Sequence, residues 1–123
     1  MPIIRQVDAP RFEMPGLVVR GLSSPKRGAK ETAVWHLSLL PGTPAFPHSC
    51  TREEVFVATA GSAQVTLDGE LSELCAGDAL VVPSGVTFAL GNASSVPFEA
   101  VVSFPVGGKA VTEQGEFTPP WAE

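Results

Sequence analysis

The stretch PGTPAFPHSCTREE, residues 41–54, places a histidine, a cysteine and a glutamate within seven positions. These residues are His48, Cys50 and Glu54, and imidazole, thiolate and carboxylate groups all bind transition metals. His48 and Cys50 are two residues apart, so on a β-strand their side chains point to the same face. The stretch therefore predicts either a functional metal site or a former metal site that no longer binds an ion. The rest of the sequence is needed to decide between these two alternatives.

The composition predicts one folded domain that is rich in turns. The chain has 123 residues, of which 44% are hydrophobic and 17% charged, which suits a single continuous core and argues against disorder. The 12 glycines and 12 prolines are spread between short apolar runs, as is typical of an all-β protein. Without an internal repeat or a second domain, we expect a single domain over residues 1–123.

Charge and hydropathy argue against two classes of partner. The net charge is −5, and the only basic cluster, Lys26, Arg27 and Lys30, has no interleaved aromatic residue, so we expect no nucleic-acid partner. No apolar run is long enough to span a bilayer, and the N-terminal residues lack the apolar core of a signal peptide. We therefore expect a cytoplasmic protein, with no membrane partner and with Cys50 and Cys75 reduced.

Short apolar runs between turn signals predict an antiparallel sandwich or barrel of seven or eight strands. The dipeptide Asp68-Gly69 separates two alternating runs and predicts a tight hairpin. The tail FTPPWAE, residues 117–123, is expected to pack or to contact a partner through Phe117 and Trp121. The predicted strands are Leu17–Leu22, Thr32–Leu40, Glu54–Ala60, Ser62–Asp68, Ala79–Pro83, Val86–Gly91 and Phe98–Phe104.

Two spaced motifs in the middle of the chain resemble those of the cupin superfamily. The first family motif reads G, five residues, H, one residue, H, three residues, E, six residues, G; the second reads G, five residues, P, one residue, G, two residues, H, three residues, N. In residues 42–61 the first motif is matched by Gly42, His48, Cys50, Glu54 and Gly61. In residues 77–92 the second is matched by Gly77, Pro83, Gly85, Phe88 and Asn92. Eight of the ten positions agree in residue type, and both departures replace a histidine.

The resemblance implies an all-β fold, the double-stranded β-helix, which is a small jelly-roll-like barrel with its ligand or metal inside. It places N-terminal strands in residues 1–40 and a C-terminal extension in residues 105–123. In metal-binding cupins the two histidines and the glutamate of the first motif bind one divalent ion together with the histidine of the second. The corresponding residues here are His48, Cys50, Glu54 and Phe88, and Phe88 cannot bind a metal.

Three interpretations of this site follow. In the first, His48, Cys50 and Glu54 hold a divalent transition metal (zinc, iron, manganese, nickel or copper), with the thiolate favouring zinc or copper. In the second the metal is lost, His48 and Glu54 bond each other or a ligand, and Cys50 is a small buried filler. In the third, His48 lies at the barrel rim and Glu54 pairs with a cation such as Arg52.

Three further side chains have alternative roles. Cys50 beside His48 could be a nucleophile, if an imidazolium lowered the pKa of the thiol. His36 lies on the strand face opposite Trp35, which favours a surface or subunit-contact position over a pocket role. Cys75 falls outside both motifs and is expected to be a buried structural thiol.

We therefore predict a cupin barrel that binds a small organic ligand and forms a homodimer. The ligand pocket is expected to be lined by two aromatic residues and the three polar ones, namely His48, Cys50, Glu54, Phe56 and Phe88. The alternative is a metal-dependent dioxygenase, isomerase or decarboxylase that uses His48, Cys50 and Glu54 as ligands. The dimer prediction comes from the family and from strand faces, such as those of Val55, Val57, Val101 and Ser103, that leave apolar surface on a single barrel.

Overall fold

The computed structural model describes residues 2–123, and within them all regular structure is β-strand or short 3-10 helix. The predicted all-β class is confirmed. The strands are β1 (Arg11–Met14), β2 (Leu17–Ser23), β3 (Thr32–Leu39), β4 (Ser49–Cys50), β5 (Glu54–Ala60), β6 (Ser62–Leu67), β7 (Glu70–Cys75), β8 (Ala79–Val82), β9 (Phe88–Gly91), β10 (Phe98–Pro105), β11 (Ala110–Thr112) and β12 (Gly115–Phe117). Single 3-10 turns lie at Gln6–Asp8, Pro25–Arg27 and Pro120–Ala122.

The strands form two layers that enclose one core. A six-stranded antiparallel sheet, the large sheet, has the order β1-β2-β3-β10-β5-β8. Two three-stranded sheets, β12-β11-β4 and β7-β6-β9, form the other layer, and a single bridge between His48 and Phe88 connects them. This arrangement is the jelly-roll barrel that the two motifs imply.

Strict alternation in the large sheet explains why one of its faces is buried. Along β10 every second side chain is buried, and β3 shows the same pattern over Ala33, Trp35, Leu37 and Leu39. These side chains pack against Val65 and other residues of the opposite layer to form one hydrophobic core. The other face of the large sheet, here called the outer face, carries Val57 and Val81, which are 43% and 50% exposed.

Turn chemistry accounts for the connections on which the barrel depends. Asp68 and Gly69 form the predicted two-residue turn between β6 and β7, and both have positive φ, as a type I′ turn requires. Gly61 connects β5 to β6 with φ of 72°, and a Cβ atom there would clash with the carbonyl oxygen of Pro97. β8 ends directly before Pro83, as expected for a residue that has no backbone donor.

The C-terminal tail closes one side of the molecule. Trp121 packs edge-on against Phe12 at 6.0 Å between ring centroids and lies 6.2 Å from Trp35, as predicted for an apolar anchor. Phe117, predicted to be a second anchor, is 46% exposed, because it sits on β12 at the free edge of its sheet. Phe117 therefore does not pack inside this chain, and its contact with a partner stays a prediction.

Candidate ligand and metal site

The two sequence motifs meet through the backbone at the bridge between His48 and Phe88. The Phe88 N–H donates to the His48 carbonyl at 2.8 Å, and the His48 N–H donates to the Phe88 carbonyl at 3.0 Å. The residue that replaces the second-motif histidine is therefore paired directly with the first histidine of the first motif. Their rings lie 4.4 Å apart between centroids.

A second set of contacts fixes the turn that separates Cys50 from Glu54. The Gly85 N–H donates to the Cys50 carbonyl at 2.8 Å, and the Ser84 hydroxyl donates to the Thr51 carbonyl at 2.7 Å. With the turn held in this way, the chain passes from β4 in one layer to β5 in the other. The Cys50 sulfur then lies 3.7 Å from Oε1 of Glu54.

His48, Cys50 and Glu54, here called the trio, converge on one point. One nitrogen, sulfur or oxygen atom from each lies within 4.8 Å of those of the other two. Cys50 and Glu54 are 3% and 6% exposed, whereas His48 is half-buried. Phe88 and Phe56, whose ring centroids are 5.8 Å apart, are buried beside them. The structure thus brings together all five residues that the sequence placed in the pocket.

Burial favours the protonated forms of both Glu54 and Cys50. Desolvation raises the pKa of the Glu54 carboxyl to about 7, against a smaller opposing effect of the hydrogen bond from Cys50. Desolvation also raises the pKa of the Cys50 thiol to about 12, and the neighbouring Glu54 charge and hydrogen bond add to this. Near neutral pH the thiol is therefore a weak donor to a carboxyl that is itself partly protonated.

The imidazole of His48 has one nitrogen in a hydrogen bond and one that is free to bind a ligand. Its Nδ1 lies 3.2 Å from the Phe46 carbonyl oxygen, which can only accept, so Nδ1 carries the proton. Desolvation lowers the pKa of His48, while the hydrogen bond to Phe46 acts in the opposite direction. A neutral ring with Nδ1 protonated leaves Nε2 with a free lone pair, which suits either a metal or a hydrogen-bond donor on a ligand.

These contacts argue against parts of three sequence-based alternatives. Glu54 is buried and makes no ion pair with Arg52 or with any other cation among residues 2–123. His48 and Glu54 do not bond each other, because their hydrogen-bond partners are Phe46 and Cys50. A raised thiol pKa is the opposite of what nucleophilic catalysis by Cys50 would need.

The trio nevertheless fits a divalent transition metal. Its donors are imidazole, thiolate and carboxylate, and the two acidic groups would lose their protons and supply two negative charges against the ion. Phe88 leaves the protein with three ligands instead of four. The thiolate favours zinc or copper among the candidate metals.

One residue at the site was missed by the sequence analysis. Phe46 is 64% exposed, and its ring centroid lies 6.3 Å from that of His48. It therefore forms the solvent-facing end of the row of rings that continues through His48 to Phe88 and Phe56. Its position two residues before His48 on the same extended segment is the signal that could have identified it. Asn92, which completes the second motif, instead has a structural role: its side chain is 1% exposed and donates to the Leu39 and Val96 carbonyls, both at 2.9 Å.

The two other noted residues lie away from the site. Cys75 was predicted to be buried, but it is half-exposed and its thiol donates to Glu73 at 3.0 Å, because it ends β7 at a turn. His36 lies on the outer face of the large sheet, as predicted, with Nε2 3.6 Å from Glu99.

Two members of the trio, Cys50 and Glu54, are buried, and His48 is half-buried. Two surface cavities of the described residues, of about 210 and 420 Å³, lie elsewhere, and neither is lined by any of the five pocket residues. Four of those five are at most 6% exposed, so the approach from solvent is at His48 and Phe46. A ligand that reaches the trio must therefore be small or must displace the aromatic side chains at this opening.

Comparison with known proteins identifies the family. Residues 35–104, more than half of the chain, match the cupin domain family. The chain is a cupin. None of the curated proteins matches the cupin's sequence.

Solved structures agree with this assignment at the level of the fold. The polyketide cyclase RemF from Streptomyces resistomycificus is similar with a TM-score of 0.73 and 20% identity, over 85% of the cupin and 79% of RemF. An RmlC-like cupin from Shewanella frigidimarina is similar with a TM-score of 0.72 and 18% identity, over 84% of this chain and 88% of the Shewanella chain. Salicylate 1,2-dioxygenase from Pseudoaminobacter salicylatoxidans, in a structure with gentisate, is similar with a TM-score of 0.65 and 25% identity, over 76% of the cupin and 26% of the dioxygenase.

No helix among residues 2–123 has the length and apolar character needed to cross a membrane.

Proposed function

We propose that this cupin binds a small organic molecule at the trio without a metal ion. The observation that carries the proposal is the convergence of His48, Cys50 and Glu54 beside a phenylalanine in the position of the fourth family ligand. Phe88 is 1% exposed and packs against the imidazole of His48, so it closes one side of the site with an apolar surface. The polar trio would orient the ligand, and Phe46, Phe56 and Phe88 would contact its apolar part.

The protonation of the trio favours a neutral ligand. No lysine or arginine is among the residues that form the site, so a carboxylate or phosphate would find no cation there. The free Nε2 of His48 can accept a hydrogen bond, and the partly protonated Glu54 can donate or accept one. A compact molecule with a hydroxyl group on an apolar or aromatic body fits these groups best.

The similar structures support small organic ligands as a class. RemF is a polyketide cyclase, and the salicylate dioxygenase was solved with gentisate, a small aromatic molecule. Because these chains share only 20–25% identity with this cupin, they support the barrel as a scaffold for such ligands and leave the ligand itself open.

The convergent donor set also favours a second function, that of a metal-dependent enzyme acting on a small organic substrate. His48, Cys50 and Glu54 would hold the ion, and a bound metal would supply Lewis-acid or redox chemistry. The buried Glu54 carboxyl, with one weak thiol donor as its only hydrogen-bond partner among residues 2–123, is the feature that favours it. Dioxygenase, isomerase and decarboxylase are the reaction types that the family suggests.

Two probes distinguish the functions, namely phenol and benzoate in amide NMR titrations of the isotope-labelled protein. In EDTA we expect phenol to shift the amides of His48, Cys50 and Phe88 saturably and benzoate to leave them unmoved. His48→Ala should weaken phenol binding at least about 10-fold, because it removes the acceptor and one aromatic surface. Arg52→Ala, an exposed residue next to the site, should bind phenol as the wild type does.

The outcomes of these titrations separate the alternatives. Benzoate binding at the trio that appears only after addition of Zn²⁺ would favour the metal-dependent enzyme, because the ion would supply the missing positive charge. If neither probe shifts the three amides, or if His48→Ala binds phenol unchanged, the small-molecule proposal fails.

We also propose that the cupin is a homodimer that uses the outer face of the large sheet. Val55 and Val81 are opposite each other on β5 and β8, and Val57 is opposite Val101 on β10, so four valines are adjacent. In gel filtration at two concentrations we expect a dimer, and Val57→Lys should shift it to a monomer because a charge would be buried in the interface. Leu71→Lys, at a 70% exposed leucine on the opposite layer, is the control and should stay dimeric. A wild-type monomer at both concentrations would contradict the proposal.

We propose a cytoplasmic location as well. Both cysteines are free, and a reducing compartment would keep them so.

A further inference from the structure

A cavity of about 420 Å³ lies on the outer face of the large sheet, and none of the trio lines it. Arg11, Val18, Arg20, His36, Glu99 and Val101 are among the residues that line it. They belong to β1, β2, β3 and β10, and their neighbours Val19, Trp35, Ala100 and Val102 point into the barrel. The volume is in the range of small-molecule pockets, yet no part of the family site reaches it.

Two arginines face each other at one side of this cavity. Arg11 on β1 and Arg20 on β2 are direct cross-strand partners, an arrangement that is destabilising for like charges. Arg11 is compensated by Glu13, with Nε 2.7 Å from the carboxylate oxygen. Arg20 is half-buried and makes no side-chain hydrogen bond or ion pair with any residue that the structure describes.

The Glu99 carboxylate, which also lines the cavity, is already engaged. His36 is the partner of Arg20 on β3, and its Nε2 lies 3.6 Å from Oε1 of Glu99. The Ser38 hydroxyl donates to the same oxygen at 3.4 Å. The Glu99 carboxylate is thus directed towards β3. The N–H groups of the Arg20 guanidinium are left free to donate to a ligand, although the chain as a whole has a net charge of −5.

We propose that this cavity is a second ligand site, which binds a small anion through a carboxylate or phosphate group. Arg20 would donate to two oxygens of that group through its planar guanidinium. Val18, Leu22 and Val101 would contact the organic part of the ligand. The site shares no residue with the trio. It extends from β10 towards β1 and β2, whereas the proposed dimer contact extends from β10 towards β5 and β8, and Val101 lies where the two meet.

The test uses inorganic phosphate and succinate as probes, at constant ionic strength so that screening does not change during the titration. In amide NMR we expect saturable 1:1 binding of at least one probe, with shifts at Arg20, His36 and Val101 and none at the trio. Arg20→Gln should weaken binding at least about 10-fold, because it removes the charge-assisted pair of hydrogen bonds. Arg52→Gln, which removes an equal charge from an exposed position elsewhere, should change the affinity less than about twofold.

Binding of phosphate alone or of succinate alone would support the proposal and identify which anionic group the site takes. Absence of saturable shifts with both probes would overturn the proposal. An equal loss of anion affinity in Arg20→Gln and Arg52→Gln would also overturn it, because it would indicate attraction by the overall charge of the protein and not a specific site. A second copy that covers the cavity would appear as lack of binding together with a dimer that dissociates in Arg20→Gln, and this also overturns it. If circular dichroism shows that Arg20→Gln does not fold, Arg20→Met, which keeps the unbranched stem without the charge, takes its place with the same expected loss.

Discussion

Replacing Phe88 with histidine is expected to raise the affinity of the barrel for Zn²⁺ at least about 10- to 100-fold, the range over which even supporting residues change metal sites. The Phe88 backbone is hydrogen-bonded to that of His48, and its ring lies 4.4 Å from the imidazole. An imidazole at this position would therefore lie beside the trio and supply a fourth ligand. Competition with a chromophoric chelator, at pH 7.5, measures the affinities of the wild type and the variant.

The matched control is Phe88→Leu, which removes the ring without adding a ligand. It should bind Zn²⁺ as weakly as the wild type, and the double variant Phe88→His with Glu54→Gln should lose the gain. Equal Zn²⁺ affinities for the wild type and Phe88→His would mean that position 88 does not face the trio in solution.

Replacing Glu54 with glutamine is expected to make the metal-free protein more stable above pH 7, by up to about 3 kcal/mol. The ordinary pKa is 4.5, and burial raises the pKa of Glu54 to about 7 in the folded state. Between these values the folded state holds a proton that the unfolded state releases, so stability falls as the pH rises from about 4.5 to 7 and then levels off. Glutamine has no such proton, and its side-chain oxygen can still accept the hydrogen bond from Cys50.

Urea unfolding in EDTA at pH 4.5, 6 and 8 measures this effect as the difference between wild type and Glu54→Gln. Taking the difference matters because His48, whose pKa is lowered, changes stability in the opposite direction. The exposed neighbour Glu53 provides a control, and Glu53→Gln should follow the wild-type pH dependence. A Glu54→Gln variant that is less stable than the wild type at pH 8 would show that the ionised carboxylate is held by a positive partner.

Much of the fold could be predicted because the sequence repeats one physical pattern. The alternation in β3 and β10 and the Asp68-Gly69 turn are local, and each defines its own element. The two motifs then determine how the layers join, since Gly42 and Asn92 at their ends are bonded backbone to backbone. The elements that escaped prediction, β1, β4, β11 and β12, have at most four residues each, and β4 and β11 pair with each other although Cys50 and Ala110 are far apart in sequence.

The sequence identified which residues form the site, but it did not predict their contacts or their pKa values. Strand alternation placed His48 and Cys50 on one face, but the 3.7 Å contact between Cys50 and Glu54 depends on a turn held by Ser84 and Gly85. The degree of burial, which raises the pKa of Glu54 to about 7, arises from the opposite layer. For the same reason the outer-face cavity was not foreseen, since Arg11 and Arg20 become neighbours only through strand pairing.

The metal content of wild-type protein purified without chelator tests the central claim most directly. We expect less than about a tenth of an equivalent of any transition metal by elemental analysis, and no more after incubation with Zn²⁺, Fe²⁺ or Mn²⁺ followed by desalting, because a true ligand set would retain its ion. About one equivalent, lost when Cys50 or Glu54 is replaced, would show that the trio is a metal centre and that the metal-free binding site proposed here is wrong.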